Sequence, residues 1–287
     1  MGYHWPMAGA SDGKLYQLAA FSVGDEGGNP AGVWIGDELP DAAIMQRIAA
    51  DVGASETAFI APATGSRRIV RYFSPEVEVS FCGHATIASG VVLGRNDGES
   101  TYVLDTSIGE VEVTAGRSGS DMAASLQSVA TRQKEIAHAT LLKTLNCLGW
   151  KEDDLDPGIP PINAFAGAWH YILAVARRDT LANLDYDFDA LKNLMQREGL
   201  TTLQLVWRER DDLFHSRNPF PVGGILEDPA TGAAAAALGG YLRDARLVDT
   251  PFRFQIRQGE FISMPSLIHV AVPEDSGIIV SGVARDL

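Results

Sequence analysis

Three ionisable residues, Glu56, His84 and Asp228, lie in stretches of small or apolar side chains. Glu56 belongs to Ala54-Ser-Glu-Thr-Ala-Phe59, and a carboxyl group among apolar neighbours can act as a general acid or base near neutral pH. His84 stands where a helix is predicted to begin, so its imidazole could hydrogen-bond a substrate. Each residue also has a structural explanation. Glu56 could face outward from a strand, His84 could pack against a turn, and Asp228 could be the N-cap of a helix that opens at Pro229.

Cys82 is the fourth candidate, because it directly precedes Gly83 at the predicted helix start. Most cysteines outside disulfides are inert core residues. The alternative is a thiol that transfers protons, as in racemases that use two cysteines. The corresponding position in the second half of the chain carries Asp228 and Pro229, which disfavours a mechanism with two cysteines. With only Cys82 and Cys147, the sequence predicts no disulfide framework, which fits a reducing cytoplasm.

Two unusually apolar segments, residues 82–94 and 229–242, are predicted to position these side chains. Neither segment contains a charged residue, and a helix without a polar face is normally buried on all sides. A shift of 145 residues aligns Thr86 with Thr231 and brings four further pairs of identical residues into register. The flanking segments are also alike. We interpret the pattern as an internal duplication.

Strand and helix patterns along the rest of the chain predict an α+β fold rather than alternating β and α units. The predicted halves are residues 1–128 and 129–287, and the last strand could return to the first half. Helices are predicted at 41–52, 129–149 and 187–198. Strands are predicted at 15–22, 31–35, 55–61, 67–73, 76–80, 101–106, 108–114, 122–127, 169–176, 202–207, 212–216, 252–257, 267–272 and 277–283.

Composition and charge exclude several classes of function. The 287 residues carry a net charge of −14, which argues against a nucleic-acid partner but not against a small anionic ligand. No apolar run approaches the ~20 residues of a membrane span. Residues 1–13 have neither the basic nor the apolar region of a signal peptide, so a cytoplasmic protein is expected. The histidines lack the short spacings typical of metal sites. The glycine pairs Gly27-Gly28 and Gly223-Gly224 match neither a P-loop nor the G-x-G-x-x-G motif of dinucleotide-binding proteins.

Four motifs in order along the chain resemble those of the phenazine-biosynthesis-like (PhzF-like) isomerase family, which shares its fold with diaminopimelate epimerase. They are Gly28-Asn-Pro-Ala-Gly-Val33, Ser55-Glu-Thr-Ala-Phe59, Cys82-Gly-His-Ala-Thr86 and Glu227-Asp-Pro-Ala-Thr-Gly232. The resemblance implies a duplicated diaminopimelate epimerase-like fold. Each half would be a curved mixed sheet wrapped around a central apolar helix, with the active site between the halves.

The resemblance also implies a role for each matching residue. Glu56 would be the proton-transferring carboxylate, while His84 and Asp228 would hold and polarise the substrate. Backbone N–H groups near Gly83 and Gly232 would receive a substrate carboxylate, as helix N-termini do for anions. The remaining substrate-binding positions carried over from the motifs are Asn29, Cys82, Thr231 and Ala233. The resemblance also implies that no cofactor is needed and that a homodimer is possible, and no metal ligands are carried over from the motifs.

Two positions depart from the family pattern. Ala233 stands where members commonly have serine, which removes a hydroxyl from the expected anion-binding site. Ser263-Met-Pro-Ser266 replaces a common Gly-Arg-Pro-Ser, which removes an arginine. The fold prediction is unaffected, but the substrate of the phenazine enzyme should not be assumed.

These observations together predict a cofactor-independent isomerase of a small carboxylate-bearing molecule, amino-acid-like or cyclic. Glu56 would remove a proton and return it elsewhere on the substrate. Two alternatives are open. One is an epimerase or racemase that uses Cys82 as an acid/base. The other is a protein of the same fold that binds a small acid, or a protein partner, without turnover.

Overall fold

The computed structural model describes residues 3–4 and 12–287, and the chain divides into two compact units. The first unit comprises residues 1–126 and 281–287, and the second comprises residues 127–280. The segment on which the signal-peptide prediction depends lies mostly outside the described residues. Among the described residues, no helix is long and apolar enough to cross a membrane.

The first unit combines two helices with a series of strands in its described residues. Its helices are α1 (Ala42–Val52) and α2 (Gly83–Asp97). Its strands are β1 (Tyr3–His4), β2 (Gly13–Ala20), β3 (Asn29–Gly36), β4 (Glu56–Pro62), β5 (Arg67–Phe73), β6 (Glu78–Val79), β7 (Ser100–Thr106), β8 (Gly109–Ser118) and β9 (Asp121–Gln127).

The sheet of the first unit closes into a barrel with eight strands in the described part of the chain. β2 pairs antiparallel with β3, β3 parallel with β4, β4 antiparallel with β5, β5 parallel with β7, and β7 antiparallel with β8. β8 pairs with β9, and the last strand of the chain, β19 (Ile279–Asp286), pairs with both β9 and β2. Closure leaves these strands without an open edge.

Helix α2 lies inside this barrel, and its sequence explains why it fits. Every residue from His84 to Gly94 is buried, as predicted from the absence of charge. The strands approach closely because the helix is small-sided. A Cβ atom on Gly90 would lie 2.6 Å from Val113 Cγ2, and one on Gly94 would lie 2.7 Å from Ala115 Cβ. Alanine at either position would overlap its neighbour.

The second unit has more helices in its described residues. They are α3 (His138–Leu148), α4 (Arg178–Ala182), α5 (Phe188–Glu198) and α6 (Gly232–Asp244). Its strands are β10 (Arg132–Lys134), β11 (Ile162–Phe165), β12 (Trp169–Val175), β13 (Thr202–Arg210), β14 (Leu213–Arg217), β15 (Pro219–Phe220), β16 (Ile225–Glu227), β17 (Phe252–Gln258) and β18 (Ser266–Val272).

The sheet of the second unit also surrounds an apolar helix. β11 pairs antiparallel with β12, β12 parallel with β13, β13 antiparallel with β14, β14 parallel with β17, and β17 antiparallel with β18. Helix α6 contacts β10, β11, β12, β13 and β18. A separate apolar cluster contains buried residues of α3, α4, α5, β12 and β13, such as Leu145, Leu181, Leu191, Leu173 and Leu205.

The predicted α+β class is confirmed, and most predicted elements lie within a few residues of the observed ones. The helix expected over 129–149 is shorter than predicted, because residues 132–134 form β10 and the helix begins only at His138. Strand β11 and helix α4 were not predicted. Both are short and lack a clear period, which explains why the pattern missed them.

Candidate functional site

Glu56 is the first residue of β4, and it is positioned by the parallel pairing of β4 with β3, in which Ala31 lies opposite Glu56. The next residues, from Thr57 to Ala61, are buried, so the strand is anchored in the barrel wall. The Glu56 side chain is 21% exposed. A carboxylate at this position is partly shielded from water but still accessible to a small ligand.

Cys82 and His84 flank the first residue of α2. Cys82 is the N-cap, with extended backbone, and both residues are 8% exposed. Cys82 Sγ lies 3.3 Å from Glu56 Oε2 and 3.3 Å from His84 Nδ1. His84 Nε2 lies 3.4 Å from Glu56 Oε2. The structure therefore brings together three of the predicted residues. Glu56 is 26 positions from Cys82 and 28 positions from His84 along the chain.

Side chains that were not predicted fix this arrangement. Ser55 Oγ lies 3.1 Å from His84 Nε2, within hydrogen-bonding distance. Thr86 Oγ1 donates to the Cys82 carbonyl at 2.7 Å and lies 2.7 Å from the Tyr72 hydroxyl. Burial raises the pKa of Tyr72, so its hydroxyl stays protonated. The first turn of α2 is therefore held from inside the barrel.

Gly83, between Cys82 and His84, has no packing reason to be glycine. A Cβ atom built on it would meet no heavy atom within 4 Å, in contrast to Gly90 and Gly94 of the same helix. The space beside the first turn of α2 is therefore open. N–H groups at a helix N-terminus have no partner within the helix and attract anions.

Asn29 begins β3, where it pairs with Ala20 of β2 and is 2% exposed. It belongs to the first unit, as do Glu56, Cys82, Gly83 and His84. The remaining predicted residues, Asp228, Thr231, Gly232 and Ala233, belong to the second unit.

The prediction that Asp228 caps a helix opening at Pro229 is wrong. Helix α6 begins at Gly232, and its N-cap is Thr231. Asp228 lies one turn earlier, where its Oδ2 accepts a hydrogen bond from Thr231 Oγ1 at 2.6 Å and its N–H donates to Asn218 O at 3.0 Å. The Asp-Pro-Ala-Thr sequence therefore forms a turn before the helix, and the carboxylate shapes that turn.

Gln258 at the end of β17 holds this turn from the other side. Its Nε2 donates to the Asp228 carbonyl at 2.7 Å and to Thr231 Oγ1 at 3.0 Å, and its Oε1 accepts from the Thr231 N–H at 3.2 Å. Gln258 is fully buried. Sequence analysis assigned it no role, although the Gln-Gly pair at a strand end was a weak signal. Ala233, in the first turn of α6, is partly exposed between buried neighbours.

A cluster of three ionisable side chains, His215, Glu209 and Glu260, lies near the end of β17. His215 of β14 contacts Glu260 Oε2 through Nδ1 at 2.7 Å and Glu209 Oε2 through Nε2 at 2.6 Å. Burial opposes protonation of His215, but the hydrogen bonds to Glu260 and Glu209 outweigh it and raise the pKa of His215. The hydrogen bond to His215 in turn lowers the pKa of each carboxylate.

The three donor atoms of Glu56, Cys82 and His84 also have the composition of a metal-ligand set, since they lie within 4.8 Å of one another. The sequence predicted no metal site because the expectation depended on histidine spacing. Glu56 lies at the start of β4, whereas Cys82 and His84 lie at the start of α2, so these residues do not show the short sequence spacing of a metal-binding motif.

Comparisons with known proteins agree with the fold. The family model described as phenazine biosynthesis-like protein matches residues 18–284. An uncharacterised isomerase of Clostridium acetobutylicum is 31% identical over 279 residues, which cover 91% of this chain and 90% of the relative. The trans-2,3-dihydro-3-hydroxyanthranilate isomerase of Pseudomonas fluorescens is 31% identical over 248 residues, which cover 84% of each chain.

A solved structure, the Bacillus anthracis phenazine biosynthesis protein of the PhzF family, matches with a TM-score of 0.84. The match covers 95% of this chain and 96% of the other at 23% identity, a level that shows the fold alone. The family model and the two isomerases carry the assignment further. The chain belongs to the phenazine biosynthesis-like (PhzF-like) family and is an isomerase of that family.

Proposed function

We propose that the protein isomerises a small carboxylate-bearing molecule, without a cofactor, by a proton transfer that Glu56 performs. The observation that carries the proposal is the contact of Glu56 Oε2 with Cys82 Sγ at 3.3 Å and with His84 Nε2 at 3.4 Å. Glu56 takes a proton from a carbon next to a double bond or a carbonyl group and returns it to another carbon. A general base must lie within hydrogen-bonding reach of the group it serves, and these contacts orient the carboxylate for that task.

His84 has the second role in this proposal. Its imidazole hydrogen-bonds a polar substituent of the substrate or the Glu56 carboxyl group as the proton moves. Ser55 Oγ, 3.1 Å from Nε2, helps to fix the ring orientation. A fixed hydrogen-bonding partner stabilises charge that develops during the reaction without a reorganisation cost at that moment.

The substrate carboxylate binds at the open first turn of α2. Two observations support this proposal: the helix has 15 residues, and the space beside Gly83 is unfilled. The helix N-terminus supplies N–H donors and a positive potential for the anion. Glycine lets the carboxylate approach the backbone, since any larger side chain would occupy that space.

Asp228, Thr231 and Gly232 also bind substrate in this proposal, together with Asn29 and Ala233. Their roles are supported by the motif match and, for Asp228 and Thr231, by the rigid turn that Gln258 holds. Because Ala233 lacks the hydroxyl of the family's usual serine, we expect a substrate with fewer hydrogen-bonding groups near this turn. One relative is named for a dihydro-hydroxyanthranilate, which makes cyclic amino acids the first class to test.

We further propose that the two units arose by duplication. The five pairings from β2 to β8 follow the order antiparallel, parallel, antiparallel, parallel, antiparallel, and those from β11 to β18 follow the same order. An arginine before each central helix also binds a nearby glutamate. Arg71 Nε donates to Glu78 at 2.7 Å, and Arg217 Nε donates to Glu227 at 3.0 Å.

The test is enzyme-dependent C–H exchange in D2O, followed by NMR over a panel of small cyclic and linear amino acids and their unsaturated analogues. The native protein is expected to exchange at least one substrate carbon position. Glu56→Gln should slow the exchange by about 100-fold or more, because general acid–base catalysis contributes about 10²–10⁴-fold. Glu112→Gln, on the exposed face of β8, is the matched control and should exchange at the native rate. Native exchange in Glu56→Gln would remove Glu56 from its role.

A second candidate is an epimerase in which Cys82 is one of the two acid/base groups. The position of the Cys82 thiol beside the open first turn of α2 favours it, although the second acid/base group would have to lie on the opposite face of the substrate from Cys82 and Glu56. Cys82→Ser should then abolish exchange, whereas the main proposal expects most of the exchange to remain. Inversion of a stereocentre in the recovered substrate distinguishes the two reactions directly.

Homodimer formation is a separate prediction from the family resemblance. Sedimentation velocity at several protein concentrations tests it, and a single species of 30.7 kDa at all concentrations would contradict it.

A further inference from the structure

The geometry of Glu56, Cys82 and His84 points to a divalent-cation site. Glu56 Oε2 lies 3.3 Å from Cys82 Sγ and 3.4 Å from His84 Nε2, and the sulfur and this nitrogen are 3.7 Å apart. These atoms form the corners of a nearly regular triangle. Tetrahedral Zn²⁺ with bonds of about 2.3 Å to sulfur and about 2.0–2.1 Å to nitrogen and oxygen has ligand-to-ligand edges of about 3.3–3.6 Å. The lengths of its edges therefore match one face of a zinc coordination shell. Because Cys82 Sγ also lies 3.3 Å from His84 Nδ1, the imidazole must turn so that the Nε2 lone pair faces the ion.

The chemistry of the donors favours a borderline-soft ion. A thiolate and an imidazole suit Zn²⁺ and Co²⁺ rather than Mg²⁺ or Ca²⁺, which prefer oxygen ligands. The thiolate and the carboxylate together supply two negative charges to balance the ion. The side chains are also held in place, because Thr86 anchors the Cys82 backbone and β4 anchors Glu56. Three protein ligands leave a fourth position open to water or to a carboxylate.

We propose that Zn²⁺ binds to Glu56, Cys82 and His84 and inhibits the enzyme reversibly. The binding part stands on the geometry alone, while the inhibitory part rests on the proposed function. An ion on Glu56 Oε2 occupies the electron pair that would accept the substrate proton. Bound Zn²⁺ also removes the His84 Nε2 position from hydrogen bonding. Zinc availability would then control the activity of this site.

Binding is tested with Co²⁺ on metal-free full-length protein, because a cobalt–thiolate bond gives a charge-transfer absorption that a cobalt–carboxylate bond does not. We expect one Co²⁺ per chain, displaced by one Zn²⁺. Cys82→Ser should lose the absorption and bind Zn²⁺ about 100-fold more weakly or worse, since even the partners of metal ligands contribute 10–100-fold. Glu56→Gln and His84→Asn should weaken binding while keeping the thiolate band at high Co²⁺ concentration. Circular dichroism confirms that each variant is folded.

The chain offers matched controls for each ligand. Cys147→Ser removes the second cysteine of the chain, which lies in α3 of the second unit, and should bind Co²⁺ as the native protein does. Ser55→Ala should bind at least as tightly, because its hydrogen bond to His84 Nε2 must break when the ion binds. Absence of stoichiometric binding, a band that survives in Cys82→Ser, or a band lost in Cys147→Ser would each overturn the site.

Inhibition is tested in the D2O exchange assay. One equivalent of Zn²⁺ should stop exchange in the native protein, and a chelator should restore it. Continued exchange with Zn²⁺ bound would overturn the inhibitory part of the proposal. If the metal-free protein shows no exchange on any substrate, the proposed function fails, and the cobalt spectra still decide whether the metal site exists.

Discussion

The two apolar helices begin in different ways although their sequences are similar. At the start of α2, a thiol, an imidazole and a carboxylate lie within 3.3–3.4 Å of one another. At the start of α6, the side chains of Asp228, Thr231 and Gln258 hydrogen-bond the turn itself. One start therefore presents reactive groups, while the other uses its polar groups to fix the backbone.

This difference shows that a polar residue before a buried helix has two distinct uses. Groups that shape a turn are tied to backbone atoms, so their removal should cost stability first. The side chains of Glu56, Cys82 and His84 contact one another rather than the backbone of a turn, so their removal should reduce activity more than stability. The following predictions test that division, beginning with the largest effect.

Gln258→Leu should lower the free energy of unfolding by about 3 kcal/mol. Leucine fills a similar volume but leaves the Thr231 N–H and the Asp228 carbonyl without their partner, and each buried unpaired group costs about 1–3 kcal/mol. Urea unfolding followed by tryptophan fluorescence measures the change. The corresponding change at α2, Ser55→Ala, should cost less than about 0.5 kcal/mol because Ser55 is exposed. An equal loss of unfolding free energy in the two variants would contradict the proposed difference between the starts of α2 and α6.

Gly90→Ala should lower stability by about 2 kcal/mol, whereas Gly83→Ala should change it by less than about 0.5 kcal/mol. The first substitution forces a methyl group against Val113 and Ala124, which is overpacking, and the second places it in open space. Thermal unfolding measures both. Gly83→Ala should nevertheless weaken substrate binding, and native affinity in this variant would argue against a carboxylate at the start of α2.

Stability should fall as pH rises above the ordinary histidine pKa of about 6.5 through loss of the proton on His215, by about 1 kcal/mol or less because Glu209 is partly solvent-screened. The pKa of His215 is raised in the folded protein, so its contribution is complete below the unfolded pKa and declines above it. The lowered pKa values of Glu209 and Glu260 make their contributions decline instead at acid pH. His215→Asn should flatten the neutral part of the profile, measured as urea midpoints against pH.

The groups around His215 allow a control for this profile. The other charged groups that act on this cluster are Arg257 and Arg210, which lower the pKa of Glu209, and Arg257 and Arg178, which lower the pKa of Glu260. His269 on β18 is another histidine of the second unit, and desolvation lowers its pKa. A lowered pKa makes stability rise as pH rises toward about 6.5, so His269→Asn should keep the decline above that pH. A decline lost in His269→Asn and kept in His215→Asn would reassign the effect.

Ser263→Gly should raise stability by about 0.5 kcal/mol, the smallest effect in the series. Ser263 has a φ of +58°, where a side chain costs about 1 kcal/mol, and the greater freedom of glycine in the unfolded chain offsets part of the gain. The family pattern has glycine at this position. Differential scanning calorimetry should show a small rise in Tm, and a fall would indicate that the Ser263 side chain makes a stabilising contact.

The sequence predicted the central helices well because their signal is compositional. Small residues without charge over one long stretch fit only a buried helix, and α2 and α6 both follow that rule. The starting point of α6 was wrong because Asp-Pro is a common helix opening. Hydrogen bonds from Gln258 stabilise a turn rather than a helix at residues 228–231. Gln258 lies 27 residues from Thr231, so a local sequence pattern does not include it.

The candidate site shows the same limit. Glu56, Cys82 and His84 were each identified from their surroundings and the family motifs, but their mutual contacts depend on the register of β4 against β3 and on the position of α2 in the barrel. Ser55 and Tyr72 were missed as supporting residues. Ser55 lay within a quoted motif, whereas Tyr72 resembles any other aromatic residue of a strand.

Strand β19 gives the first unit an unusual order of assembly. The barrel around α2 is completed by β19, whose residues from Ser281 onward belong to the first unit although more than 150 residues separate them from β9. During synthesis on the ribosome, α2 is therefore made long before the wall that encloses it is whole. Part of the apolar surface of the first unit therefore stays exposed until the second unit and β19 have been translated. Tags or fusions that hold back residues 281–286 would be expected to trap this incomplete barrel.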